Sequence, residues 1–127
     1  MDEQRIEQMI QDKGKTAPRV TPEAVEASIA GAYYFTAQQG VEQAFHEQCE
    51  LTQASGMHSG ALGLLTFCVI VLDNGFTVTG ESACASPENF DPEIGRKIAH
   101  KNACAKIWPL MGYHLKQQLH EQRETKP

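Results

Sequence analysis

Residues 62–72, Leu-Gly-Leu-Leu-Thr-Phe-Cys-Val-Ile-Val-Leu, run into Asp73-Asn74-Gly75 and then into the alternating segment 76–84. An apolar stretch rich in β-branched and aromatic residues, a turn tolerant of positive φ and a second alternating stretch together specify a β-hairpin. The first strand is apolar on both alternating sets, Leu65, Phe67, Val69 and Val71 on one and Leu64, Cys68, Ile70 and Leu72 on the other, so both its faces need cover. The second strand is polar at Thr77, Thr79 and Glu81 and apolar at Phe76 and Val78. A two-stranded ribbon is marginal alone. Helices must therefore lie on one side and something else on the other, and a second copy of the chain is the economical partner, so a homo-oligomer is expected. With Asn74-Gly75 as a two-residue type I′ loop, Asp73 faces Phe76, Cys68 faces Glu81 and Leu65 faces Cys84.

The remaining elements are predicted to be helical. Ile6, Met9 and Ile10 at i, i+3, i+4 before Gly14 predict a short amphipathic helix. Thr21 as N-cap, Pro22 at the first position, Glu23 in the first turn and Val20 placed to pack on Val25 open a second, expected over 22–36 with Val25, Ile29, Ala32, Tyr33 and Thr36 as its stripe. Val41, Ala44, Phe45 and Gln48 suggest a further helix between Gly40 and the loop-like Ser55-Gly56 and Ser59-Gly60. Asp91-Pro92-Glu93 repeats the capped start, and the helix it opens is expected over 92–107. Gly95, Ala99 and Ala103 recur every four residues there, a small-residue row that lets the helix lie close to its neighbour, with Ile94, Ile98, Ala105 and Trp108 extending the buried side. Pro109 predicts a break before a polar last helix over 113–122. The reading is an α+β protein: a short helix and linker over 1–20, one domain over 21–122 and a frayed tail over 123–127.

At 127 residues the chain is long enough for one modest core. The longest strongly apolar run, 61–72, is far shorter than the roughly 20 residues of a membrane helix, and the first residues lack a signal-peptide pattern, so no membrane partner and a cytoplasmic setting are expected. Net charge is −5, all of it in residues 1–60, which hold nine acids and four bases, whereas 61–127 hold seven of each. Such an acidic chain is a poor non-specific ligand for duplex DNA. Arg96, Lys97, His100, Lys101 and Lys106 nevertheless occupy a stretch without Asp or Glu, the best anion-attracting surface in the sequence.

Chemistry-bearing patterns are few. Cys49, Cys68, Cys84 and Cys104 form no C-x-x-C pair and read as reduced, mostly buried thiols. His46 and Cys49, three apart, are the pair singled out at metal-ligand spacing, but half a site arises readily by chance, and no metal or cofactor is expected. There is no G-x-S-x-G elbow, and the glycine-rich 56–63 is neither a Walker loop nor a dinucleotide fingerprint, although His58 in it could meet an anion. Glu81, with Thr77, Thr79 and Ser82, could offer a polar strip to the hydroxyls of a sugar or nucleoside. Trp108 and Tyr113, flanking Pro109, could stack on a base, against the commoner role of anchoring the last turn.

The segments Gly60-Ala61-Leu62-Gly63-Leu64-Leu65-Thr66-Phe67-Cys68, Asn74-Gly75-Phe76-Thr77-Val78-Thr79-Gly80-Glu81-Ser82-Ala83-Cys84, Pro87-Glu88-Asn89-Phe90, Gly95-Arg96-Lys97-Ile98-Ala99 and Ile107-Trp108-Pro109-Leu110 closely resemble a family of short proteins of unknown function encoded by tailed bacteriophages and their prophages. The resemblance spans about 58–119, extends to Thr21-Pro22-Glu23 and Tyr34-Phe35-Thr36, and departs at Met111, where an acidic residue is expected. It implies the cytoplasm of an infected or lysogenic bacterium as the setting, and no reaction. Three functions follow as expectations. The first is a small oligomeric binding protein that sequesters an anionic, nucleotide-derived ligand, such as a signal of bacterial antiviral defence, through His58, Glu81, Ser82, Arg96, Lys97, His100, Lys101, Trp108 and Tyr113. The second is an inhibitor or adaptor whose acidic first half docks on a host protein. The third, a nucleotide-degrading enzyme using His58 or His100, ranks last because no nucleophile or metal set accompanies them.

Overall fold

The computed structural model describes residues 2–48 and 59–125; Cys49 and His58 lie outside them. Eight elements follow in order: α1 (Glu3–Asp12), α2 (Pro22–Ala27), β1 (Ile29–Thr36), α3 (Ala37–Gln48), the single turn α4 (Ser59–Leu62), β2 (Leu65–Leu72), β3 (Thr77–Ala83) and α5 (Pro92–Thr125), with a 3₁₀ turn at Pro87–Asn89 before α5. The strands form one antiparallel sheet in the order β1-β2-β3. The α+β class is therefore as expected, with three strands in place of two.

The capped helix starts at Thr21 and Asp91 are where the sequence puts them, and Asp2 caps α1 in the same way. Asp2 accepts from the Arg5 amide at 2.8 Å, Thr21 Oγ1 from the Ala24 amide at 3.0 Å, and Asp91 Oδ1 from the Glu93 and Ile94 amides at 2.9 and 3.2 Å. The helix expected over 22–36 stops after six residues, however, and Ile29–Thr36 is strand β1. The i, i+3, i+4 spacing of its apolar residues is coincidental. An Ile, two Tyr, a Phe and a Thr suit a pleated surface, and pairing Tyr34 with Cys68 and Phe35 with Phe67 satisfies the backbone of a β2 edge that a two-stranded hairpin leaves open.

The hairpin register is one residue away from the expected one. The Leu72 amide donates to the Phe76 carbonyl and the Gly75 amide to the Leu72 carbonyl, each at 2.8 Å, enclosing a three-residue loop with Gly75 at φ +89. This is the turn-plus-bulge loop in which a glycine takes the left-handed position. Cys68 consequently pairs with Gly80, Phe67 with Glu81 and Leu65 with Ala83, not Cys68 with Glu81 or Leu65 with Cys84. A one-residue slip exchanges faces, so Glu81 shares the Phe67 face and Ser82 the Thr66 face.

Helix α5 lies across the second face. Cys68, Ile70, Leu72 and Val78 of the sheet are buried with Ala99, Ala103, Cys104 and Ile107 of α5 and Val25 of α2. The small-residue row works as its spacing implies. A Cβ on Gly80 would stand 2.2 Å from the Ala99 carbonyl oxygen and 2.3 Å from the Ala103 nitrogen, so helix and strand backbones touch there. Ile94, Ile98 and Ala105, expected on the buried side, are exposed, because the row turns them away from the sheet. The helix also does not break at Pro109 but runs for 34 residues. Pro109 and Ala105 both lie on the exposed side, where water can take the carbonyl that the proline leaves without an amide.

Candidate functional site

The groove between edge strand β1 and the first half of α5 gathers the basic residues. Glu93, Arg96, Lys97 and His100 fall at i, i+3, i+4 and i+7 and share a helical face. Opposite stands Tyr34, on the helix side of β1 because it pairs with the buried Cys68. Together they line an open hollow of about 500 Å³. A second hollow of about 240 Å³ adjoins it through Tyr34 and Arg96 and is walled by Phe35, Phe90, Thr36 and Gln39. Lys97 meets Glu93 at 3.6 Å, but with both side chains more than 70% exposed the pair is weak and leaves the ammonium available. Arg96 has no hydrogen-bond or ion-pair partner among the described residues. Its five donors, in a geometry suited to phosphate or carboxylate, therefore stand at the junction of a cationic hollow and an aromatic one.

Beneath the groove is a compact polar cluster. Tyr34 Oη lies 3.0 Å from His100 Nδ1, His100 Nε2 lies 3.4 Å from Glu26 Oε1, and the Cys104 thiol points to the same carboxylate oxygen at 3.8 Å. Val25, sunk into the core, fixes α2 so that the next residue, Glu26, reaches across to α5. Burial first, and then the Glu26 carboxylate, push the Cys104 thiol up to about 11. Burial likewise raises Cys68, against a smaller opposing effect of the Tyr34 hydroxyl, and burial raises Tyr34 itself. Neither buried thiol is a thiolate at neutral pH, so neither offers an activated nucleophile. Cys68, Cys84 and Cys104 are free thiols.

The residues singled out from sequence thus divide. Arg96, Lys97 and His100 come together. Lys101 is exposed on α5 outside the groove lining. Glu81 is exposed on the opposite sheet face, and Ser82 is half-buried on the helix side, so the two do not form one strip. Trp108 is half-buried farther along α5, packed against the core, where its indole N–H donates to Glu3 Oε1 at 3.1 Å and holds α1. Tyr113 is 75% exposed farther along the helix, and His58 lies outside the described residues. Tyr34, Glu26 and Cys104 were not foreseen. Tyr34 was hidden inside an expected helix and Glu26 lies 74 positions from His100. Cys104 did carry a signal: it follows His100 by four, a ligand spacing as good as that of His46 and Cys49.

No described helix is long and apolar enough to cross a membrane. Neither the curated proteins nor the solved structures contain a match to the chain. A family model does match residues 20–119, taking in the whole sheet, the groove and α5 as far as Leu119, and on that match the chain belongs to the phage protein (N4 Gp49/phage Sf6 gene 66) family.

Proposed function

We propose that this phage protein is a binding protein that sequesters an anionic, nucleotide-derived ligand, such as a signal of antiviral defence, in the cytoplasm of the infected or lysogenic host. The observation that carries the reading is Arg96, unpaired among the described residues, at the junction of the two hollows. Phosphate meets Arg96, Lys97 and His100, while a base lies against Tyr34, Phe35 and Phe90 beside the amide of Gln39. The reading includes a second copy of the chain. The sheet face away from α5 presents Tyr33, Val69 and Val71 with little over them, a surface that symmetric association would bury.

Native mass spectrometry of the full chain, alone and with a panel of linear and cyclic nucleotides, tests both parts. The expected result is a defined oligomer that gains one ligand mass per pocket, loses it in Arg96→Ala and Lys97→Glu, and keeps it in Lys101→Glu. A monomer that gains no nucleotide overturns the reading. The same bare apolar face then favours the second reading, a host protein as partner, joined through it and through the acidic first half.

A further inference from the structure

We propose that Glu26, His100 and Cys104 form a binding site for a divalent transition metal ion of the zinc type. One carboxylate oxygen, one imidazole nitrogen and one thiol sulfur lie within 4.8 Å of one another. Tetrahedral zinc, with bonds of about 2.0 Å to nitrogen and oxygen and about 2.3 Å to sulfur, holds its ligand atoms about 3.3–3.7 Å apart. His100 Nε2 to Glu26 Oε1 is already 3.4 Å and Cys104 Sγ to Glu26 Oε1 3.8 Å, so two of the three donor pairs stand near the tetrahedral spacing, and the third, His100 to Cys104, is within 4.8 Å. His100 and Cys104 are one helical turn apart on α5, and Glu26 comes from α2, anchored by the buried Val25, so the backbone that carries the donors is preset.

The surroundings fit the same chemistry. A ligating histidine ordinarily gives its other ring nitrogen to a fixed partner, which orients the ring and selects the tautomer. Tyr34 Oη holds that place at 3.0 Å from Nδ1, leaving Nε2 aimed at Glu26. With metal bound, Nδ1–H donates to the Tyr34 oxygen and Cys104 releases its proton to solvent. Mixed sulfur, nitrogen and oxygen donors suit zinc or cobalt, and not magnesium or calcium, which take oxygen. Access is open on the Glu26 side, since that side chain is 64% exposed and His100 is 29% exposed, although Cys104 is buried. Three protein ligands leave a fourth tetrahedral position for water or an anion. The site shares His100 and its partner Tyr34 with the proposed nucleotide groove, but neither Arg96 nor Lys97 belongs to the ligand set, so Arg96→Ala leaves Co²⁺ binding unchanged while it removes the nucleotide.

The test is titration of the metal-stripped, reduced full chain with Co²⁺. The expected result is one equivalent giving the thiolate-to-cobalt charge-transfer band and the visible bands of tetrahedral cobalt, both discharged by Zn²⁺. Cys104→Ala abolishes the charge-transfer band, whereas Cys49→Ser and Cys84→Ser keep it. Glu26→Gln, an exposed and conservative change whose folding is checked by circular dichroism, weakens Co²⁺ binding by at least about tenfold. Absence of the band in the wild-type chain, its loss in Cys49→Ser with retention in Cys104→Ala, or unchanged affinity in Glu26→Gln overturns the proposal.

Discussion

The two faces of the three-stranded sheet are built by the same alternation and meet opposite fates. On one, Cys68, Ile70 and Val78 are sealed by α5, and at Gly80 the two backbones touch. On the other, Phe67 stacks on Phe35 at 5.5 Å under Gly40 of α3, while beyond that end Tyr33 remains 61% exposed beside half-buried Val69 and Val71. β2 is nearly as apolar on its open face as on its covered one. Hydrophobicity alone therefore does not decide where the helix docks. The decisive difference is the shape of β3, where a glycine on one face lets the Ala99–Ala103 segment approach and Thr77, Thr79 and Glu81 on the other offer neither a hollow nor an apolar surface.

The largest effect is thus expected at Gly80. Gly80→Ala forces a methyl into the Ala99 carbonyl and the Ala103 amide, backbone atoms that cannot rotate aside, and should cost about 4 kcal/mol or more in urea-induced unfolding. Thr79→Ala, the neighbouring position on the open face, should cost less than about 1 kcal/mol. Equal losses at the two positions would remove shape as the reason for the difference between the faces.

A smaller change in folding, but a large one in assembly, is expected at Tyr33. Tyr33→Glu alters an exposed residue and should shift unfolding by less than about 1 kcal/mol. On the proposed reading, in which a second copy covers this surface, a carboxylate placed there should leave the variant monomeric in sedimentation velocity where the wild type is an oligomer. A monomeric wild type would leave the two faces unlike for good, one built for the core and the other for a different partner.

The sequence discloses this asymmetry in part. The hairpin, the capped starts at Thr21 and Asp91 and the Gly95–Ala99–Ala103 row are local signals, and each survives in the structure. The hairpin register was not legible because Asn74-Gly75 is compatible with a two-residue loop, and only the bulged geometry with Gly75 at φ +89 shows that Asp73 belongs to the loop as well. β1 is not legible as a strand because eight residues can satisfy helical spacing by accident, and the competing interaction, pairing with the free edge of β2, spans 30 or more positions. The same holds at the site. Arg96, Lys97 and His100 were legible because one helix carries them. Tyr34 and Glu26 join them only through strand pairing and the seating of Val25.

The smallest effect concerns the rim of the covered side, where polar contacts hold α1 to the apolar assembly. Arg19 grips Glu7 through two hydrogen bonds, one of them 2.8 Å long, and Trp108 donates to Glu3. The Arg19 hydrogen bonds, aided by Gln11, hold the Glu7 carboxyl down to about 2 from an ordinary 4.5. A carboxyl lowered on folding stabilises the folded form above its unfolded pKa, and that contribution fades as pH falls from 4.5 toward 2. Trp108 fluorescence should therefore change across this window as α1 loosens, while the far-ultraviolet signal of sheet and α5 stays. Glu7→Gln should remove most of that pH dependence, because the loosening of α1 that the wild type shows only at low pH is then already present at neutral pH. Loss of both signals together would mean that α1 and the core form one cooperative unit. The covered face would then depend on its polar rim as well as on the close approach at Gly80, and the contrast with the open face would be one of anchoring as much as of shape.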